Sequence, residues 1–481
     1  MQNKKVLFKS SLLTALLLTV TLYVNASTQK ADSLTFGHLG RVMIYKPAAA
    51  ATSAVIFISG IEGLNKSMIS IINSLTAMNA LVIAVDYKKY IKNLEATKSK
   101  CVYPAADFEE LSQSVQKKLS IKHYMNPVLI GYSSGAALVY ATIVQSPART
   151  FAGAISINFT PEIKIKKEIC HGNGLQVKPF KKLNGFELLP FPNLVASWTV
   201  LQAEKDKDFT VAECQLFTKK ITNAHFVLLK DVNHKFVDDK KWYPQFKTAF
   251  ENTLSDFENR VNKTSVIKKA GAVAALPADM PLTITEAEKY DAEKPLAIII
   301  SGDGGWTDFD QSIADGLAQQ QIPSAGLSSL KYFWERKNPS QSSADLLKLI
   351  QYYSSIWKRN KIVLVGYSYG ADVMPFMASR LPLEVQNNIQ CVALLSPSAT
   401  VDFEFHVSSW FNSSEDNSVA TKPEIEKLDP KKLLIVYGSD ENNDVIKTLN
   451  PSAARILKVP GGHHYNDNVE KVTEAIMSYV K

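Results

Sequence analysis

Short, continuous apolar runs of four to seven residues recur along this chain, separated by longer amphipathic stretches. A run without polar alternation and rich in Val and Ile reads as a strand covered on both faces. The stretches between read as the covering helices, so the pattern is that of a mostly parallel α/β sheet. The predicted strands of a first set are Ala54 to Ile58, Ala80 to Val85, Pro127 to Ile130, Phe151 to Ile157, Thr199 to Gln202 and His225 to Leu229. A second set follows at Leu296 to Ile300, Ser324 to Leu327, Lys361 to Val365, Gln390 to Leu395, Lys432 to Val436 and Ala454 to Val459.

The two sets are copies. Val55-Ile56-Phe57-Ile58-Ser59-Gly60 matches Ala297-Ile298-Ile299-Ile300-Ser301-Gly302, and Gly131-Tyr132-Ser133-Ser134-Gly135-Ala136 matches Gly366-Tyr367-Ser368-Tyr369-Gly370-Ala371. Both pairs lie roughly 240 residues apart, and a nearly constant offset between similar blocks means one fold written twice. The expected organisation is a first α/β domain over residues 27–258, a linker with one helix over 259–294, and a second α/β domain over 295–481.

Lys4, Lys5 and Lys9 precede an apolar run from Leu12 to Val24 that ends in Val24-Asn25-Ala26, the form of a cleavable secretory signal cut after Ala26. The run of about 13 residues is shorter than the ~20 that span a bilayer, and no Cys follows it for a lipid anchor. The expected compartment is the periplasm. There the four cysteines can pair; Cys101, Cys170 and Cys214 lie in the first half, with Cys170 to Cys214 the favoured bridge, and Cys391 stands alone in an apolar run. No CxxC pair or close His/Cys cluster suggests a metal site.

Composition fits a folded soluble protein: 46% of the 481 residues are hydrophobic and 21% are charged, which excludes collagen-like, coiled-coil and multi-spanning classes. The net charge of +8 comes without a Lys/Arg tract, so nucleic acid is not an expected partner. The charge divides unevenly. Residues 27–258 hold 28 Lys/Arg against 20 Asp/Glu, and residues 295–481 hold 17 against 21. A basic first domain suits an anionic membrane lipid surface, and an acidic second one suits a cationic substrate.

Gly366-Tyr367-Ser368-Tyr369-Gly370 fits G-x-S-x-G between a predicted strand and a predicted helix, the corner on which α/β-hydrolases mount a nucleophilic serine. Such an enzyme needs a histidine base on a loop after the last strand, and His463 stands there, with His464 in reserve. The orienting acid belongs after the preceding strand, where Asp440 and Glu441 are equivalent on sequence and Asp444 is a third choice. Gly302, Asp303 and Gly304, after the first strand of this copy, supply an oxyanion loop, completed by the N–H of Tyr369. The first copy repeats the set: Ser133 in its own G-x-S-x-G, Glu204, Asp206 and Asp208 after a strand, and His234 after the last one, giving Ser133, Asp206 and His234 as a second site. Glu62 in its oxyanion loop stands close to where negative charge would develop. The fold class expected is thus two tandem α/β-hydrolase-like domains, with no cofactor required.

Ser301-Gly302-Asp303-Gly304-Gly305-Trp306, Tyr332-Phe333-Trp334, Gly366-Tyr367-Ser368-Tyr369-Gly370-Ala371-Asp372 and Pro460-Gly461-Gly462-His463-His464 together resemble the bacterial virulence protein family VirJ/AcvB. The second domain carries the resemblance, and two tandem copies resemble the longer, AcvB form. What the resemblance implies is a periplasmic hydrolase of lysyl-phosphatidylglycerol with Ser368 as nucleophile and His463 as base. The association of the family with virulence implies type IV secretion components as further partners. An aminoacylated phospholipid carries amines that Asp303 or Asp372 could hold by charge-assisted hydrogen bonds. Two other readings use the same chain: a non-catalytic periplasmic docking factor, and a generic lipase, esterase or peptidase.

Overall fold

A computed structural model describes residues 31–98, 101–262, 280–406 and 417–480, except positions 148, 173, 208, 237, 288 and 451. The expected signal segment, Asp208 and much of the expected linker lie outside the described residues.

Each set of apolar runs forms one sheet. The first comprises β1 (Asp32–Phe36), β2 (Gly40–Tyr45), β3 (Ser53–Ile58), β4 (Ala80–Val85), β5 (Val128–Tyr132), β6 (Gly153–Ile157), β7 (Trp198–Ala203) and β8 (Ala224–Leu229), in the order β1-β2-β4-β3-β5-β6-β7-β8. The second comprises β9 (Leu282–Thr285), β10 (Leu296–Ile300), β11 (Ser324–Leu327), β12 (Ile362–Tyr367), β13 (Ile389–Leu395), β14 (Leu433–Gly438) and β15 (Arg455–Val459), in the order β9-β11-β10-β12-β13-β14-β15. Apart from β1 the two orders are the same. In each, an antiparallel strand joins the parallel strands at one side, β2 on β4 and β9 on β11; β1 adds a second antiparallel pair on β2, and the remaining pairs are parallel.

The linker expectation is corrected at both ends. The helix Asp239–Asn262 closes the first domain and runs past residue 258, and β9 already belongs to the second sheet. With only four residues inside a segment rich in Ala, Lys and Glu, β9 has too short an apolar signal to stand out. β1 and β2 escaped for a related reason, since β1 is an edge strand with mostly exposed side chains and lacks a continuous apolar run.

Period-two alternation sends each strand's side chains to two cores. Ile56 and Ile58 pack on one face of the first sheet while Val55 and Phe57 pack on the other; Leu296, Ile298 and Ile300 oppose Ala297 and Ile299 in the second. This double cover is why the strands read as unbroken apolar runs. The same parallel topology brings every strand's C-terminal end to one edge of its sheet, where ligands bind in open α/β folds. Both domains have the α/β-hydrolase fold.

The disulfide differs from the expected one. Cys101 bonds to Cys170, with their Cα atoms 5.1 Å apart, because Cys101-Val102 pairs in parallel with Glu168-Ile169 and delivers Cys170 alongside. Cys214 faces the first core from its helix, and burial pushes its thiol up to about 12.

The domains dock through Trp334. Its ring packs with Tyr124, Leu330 and Phe405, its Nε1 donates to the Ile121 carbonyl at 2.7 Å, and Lys117 Nζ lies 4.8 Å from its centroid. Lys117 also pairs with Glu404 at 3.2 Å, and Arg149 donates to Thr283 on β9 at 2.6 Å.

Candidate active site

Ser368 sits at the turn from β12 into the helix Tyr369–Ala378 with φ 51° and ψ −118°, a strained conformation that lifts its side chain off the strand end. Only small residues permit the turn. A Cβ on Gly366 would stand 2.3 Å from the Gly370 carbonyl oxygen, and one on Gly370 would stand 2.1 Å from that of Ile300. The turn is held by Ser368 N–H donating to the Leu395 carbonyl at 2.8 Å, and Ser368 is partly exposed.

His463 follows β15, and its Nδ1 lies 2.6 Å from Glu441 Oε1. Glu441, left equivalent to Asp440 by the sequence, is thus the acid that the structure sets against the histidine. Asp440 instead accepts from the Ser439 hydroxyl at 2.8 Å, and Asp444 pairs with Lys447 at 2.9 Å. The second oxygen of Glu441 receives the Gly438 N–H at 2.6 Å and the Ser396 hydroxyl at 2.7 Å. Burial alone would raise this carboxyl, but those donors and the His463 ring outweigh it and hold Glu441 below the usual carboxylate range. His464 has a different post: its Nδ1 lies 2.9 Å from the Tyr367 hydroxyl, which also reaches the His463 carbonyl at 3.3 Å.

The oxyanion turn lies against the serine. A Cβ on Gly302 would stand 3.5 Å from Ser368 Cβ. Its carbonyl accepts from the Gly305 N–H at 3.0 Å and from the Ser301 and Ser329 hydroxyls, so the Asp303 N–H of the same trans peptide points the opposite way. The Thr307 N–H and hydroxyl donate to Asp310 at 2.9 and 2.7 Å, pinning the start of the following helix behind this turn. Burial pushes the fully enclosed Asp310 up to about 7, against those donors.

Acids crowd the mouth. Asp303 is exposed on the turn beside Gly304. Glu109, on the helix Pro104–Lys118 of the first domain, comes close enough that burial together with the negative charge of Asp303 pushes it up to about 8. Asp372 is buried, and burial drives it well above its ordinary value while the Ser398 N–H donates to it at 2.5 Å. It therefore ties the helix to the loop after β13.

The first domain reproduces this geometry. Ser133 has φ 53° and ψ −118°, a Cβ on Gly60 would stand 3.5 Å from Ser133 Cβ, and His234 Nδ1 lies 2.8 Å from Asp206. Glu62 is exposed on its oxyanion turn.

Several site residues went unnoticed in the sequence. Ser396 holds Glu441 and is itself bonded to the Tyr465 hydroxyl at 2.7 Å; Asn158, its counterpart after β6, donates to the His234 carbonyl at 3.1 Å. Tyr132 and Tyr367, which precede the two serines, both donate to the carbonyl of the histidine. That shared tyrosine inside both G-x-S-x-G blocks was the available signal.

Residues 294–481 match the family described as Bacterial virulence protein (VirJ). The second domain, and not the first, is thus similar to the VirJ family. The matched residues contain Ser368, His463 and Glu441; of the segment Tyr332-Phe333-Trp334, the first two pack in the core of the second domain and Trp334 docks the first domain. No curated protein matches the chain. Similar solved structures include an α/β serine hydrolase homologue from Coxiella burnetii, 16% identical, covering 48% of this chain and 97% of its own at a TM-score of 0.31. Est1E from Butyrivibrio proteoclasticus is 10% identical, covering 47% and 99% at 0.32, and a serine hydrolase from Xanthomonas campestris is 14% identical, covering 47% and 94% at 0.31.

Proposed function

We propose that this protein is a periplasmic serine esterase that cleaves the aminoacyl ester of lysyl-phosphatidylglycerol through Ser368, His463 and Glu441. The observation that carries the reading is the His463–Glu441 contact of 2.6 Å at the same sheet edge as a strained Ser368, with the exposed Asp303 on the turn that lies against that serine.

With Nδ1 donating to Glu441, His463 keeps Nε2 free to take the Ser368 proton. Ser368 Oγ attacks the lysyl carbonyl carbon, and the Asp303 and Tyr369 N–H groups receive the developing oxyanion. His463 returns the proton to the leaving glycerol oxygen, releasing phosphatidylglycerol. Water deprotonated by His463 then frees lysine from Ser368. Asp303 meets the lysyl amines, with Glu109 nearby: a carboxyl destabilised by a like charge is relieved when a cation enters. Asp372 acts from behind by holding the Ser396 to Ser398 loop.

The test is a substrate panel on vesicles of lysyl-, alanyl- and unmodified phosphatidylglycerol, with amino acid release as readout. The expected order is lysyl first, with unmodified lipid left intact. Asp303→Asn should lower the lysyl-to-alanyl preference about tenfold or more, as for loss of one charge-assisted contact. An unchanged preference contradicts the role of the acidic mouth, and no release from any ester contradicts the esterase reading.

A further inference from the structure

We propose that Ser133 is the nucleophile of a second esterase centre, whose substrates have acyl groups without a cationic amine. The VirJ match leaves this domain uncovered, yet its residues hold the geometry described above, including the elbow angles and the His234–Asp206 contact. The serine is held at φ 53° and ψ −118°, within two degrees of the angles of Ser368. A side chain in that region carries a conformational cost, and it persists here together with the acid and base that would use it. The Asp206 side chain is 2% exposed, so the carboxylate facing His234 is shielded from water, and Ser133 is partly exposed.

The two mouths differ at matching positions. Where Asp303 stands on the oxyanion turn of the second domain, the first has Ile61, 49% exposed; where Asp372 stands, it has Ala137. Ser134 replaces Tyr369, and an exposed Lys235 follows His234 where His464 follows His463. Glu62, in place of Gly304, is the acid on this turn and faces solvent. An exposed isoleucine and a lysine beside the base disfavour a lysyl group and favour a neutral, apolar acyl chain.

The step balances as an ordinary ester hydrolysis. Ser133 Oγ bonds to the acyl carbon and its proton passes through His234 to the departing alkoxide; water then adds with its proton taken by His234, and Ser133 Oγ leaves and recovers that proton. The inference shares its chemistry with the Ser368 reading but not its substrate, so each can fail alone.

The experiment treats the full-length mature chain with a fluorophosphonate, which bonds to an activated serine with loss of fluoride, and reads both serine peptides by mass spectrometry. Hydrolysis of p-nitrophenyl butyrate is followed alongside in the wild type, Ser133→Ala and His234→Ala. Expected are a label on Ser133 and at least a hundredfold loss of Ser133-dependent butyrate turnover in both variants. A label on Ser368 with none on Ser133, or butyrate turnover unchanged by Ser133→Ala, overturns this proposal and leaves the VirJ-domain reading in place. Lack of label on both serines removes both. Labelling uses the unaltered chain, so misfolding of a variant does not blur the outcome.

Discussion

Replacing Glu441 by Gln removes a charge while keeping nearly every atom in place. The carboxylate now accepts three donors: His463 on one oxygen, Gly438 N–H and the Ser396 hydroxyl on the other. An amide has one accepting oxygen. Gly438 and Ser396 together claim it, which turns the NH2 group toward His463. The ring must then present a bare Nδ1 and carry its proton on Nε2, the tautomer that cannot take a proton from Ser368. Trapping the wrong tautomer in a serine triad costs about 10⁴ in kcat, or ~5.5 kcal/mol of barrier. Stability should change by only about 1 kcal/mol, since the bonds from the Gly438 N–H and the Ser396 hydroxyl survive. Asp440→Asn, one residue away, should change kcat by less than about threefold because that side chain, among the described residues, bonds to Ser439 and not to His463. The assay is initial-rate lysine release at saturating lipid, with thermal melts of each variant. Glu441→Gln within tenfold of wild type, or Asp440→Asn equally damaged, refutes the assignment.

Asp310 titrates near 7 when folded and near 4 when unfolded, so its stabilising contribution is complete below about pH 4 and is lost as pH rises through about 7. Asp310→Asn should flatten that part of the stability profile measured by denaturant titration; an unchanged slope contradicts the burial argument. Breaking the Cys101–Cys170 bridge opens a cross-link between positions 69 apart and should destabilise the first domain by about 2–4 kcal/mol, read as a lowered unfolding midpoint in reductant. Cys214 and Cys391, both buried with thiols pushed up to about 12, should react with a thiol reagent only after denaturation. Trp334→Ala removes the centre of the domain contact, worth about 3–5 kcal/mol, and should split calorimetric unfolding into two transitions; a single unshifted peak would show that Trp334 does not couple the domains.

The parts legible in the sequence were those fixed by local rules. Leu296 to Ile300 and Ala80 to Val85 are strands within their predicted bounds because both faces are buried and every position must be apolar. The elbows were legible because steric crowding demands glycine on both sides of the serine. β5 and β12 run two residues beyond their predicted ends, since the tyrosine before each serine still pairs, Tyr132 with Ile157 and Tyr367 with Leu395. What stayed hidden depends on contacts between distant segments. The choice of Glu441 over Asp440 is made by Ser396 and Gly438, and the disulfide by a two-residue strand pairing. The influence of the Asp303 charge on Glu109 crosses from one domain to the other, which no local pattern records.

Ser368 and the lysyl ester are the two ends of the proposed reaction. The decisive measurement is free lysine released from lysyl-phosphatidylglycerol vesicles by the full chain and by Ser368→Ala, counted against phosphatidylglycerol formed. One lysine per phosphatidylglycerol in the wild type, with a fall of at least a thousandfold in Ser368→Ala, is the predicted result. No release by the folded wild type, or release that survives in Ser368→Ala, would contradict it.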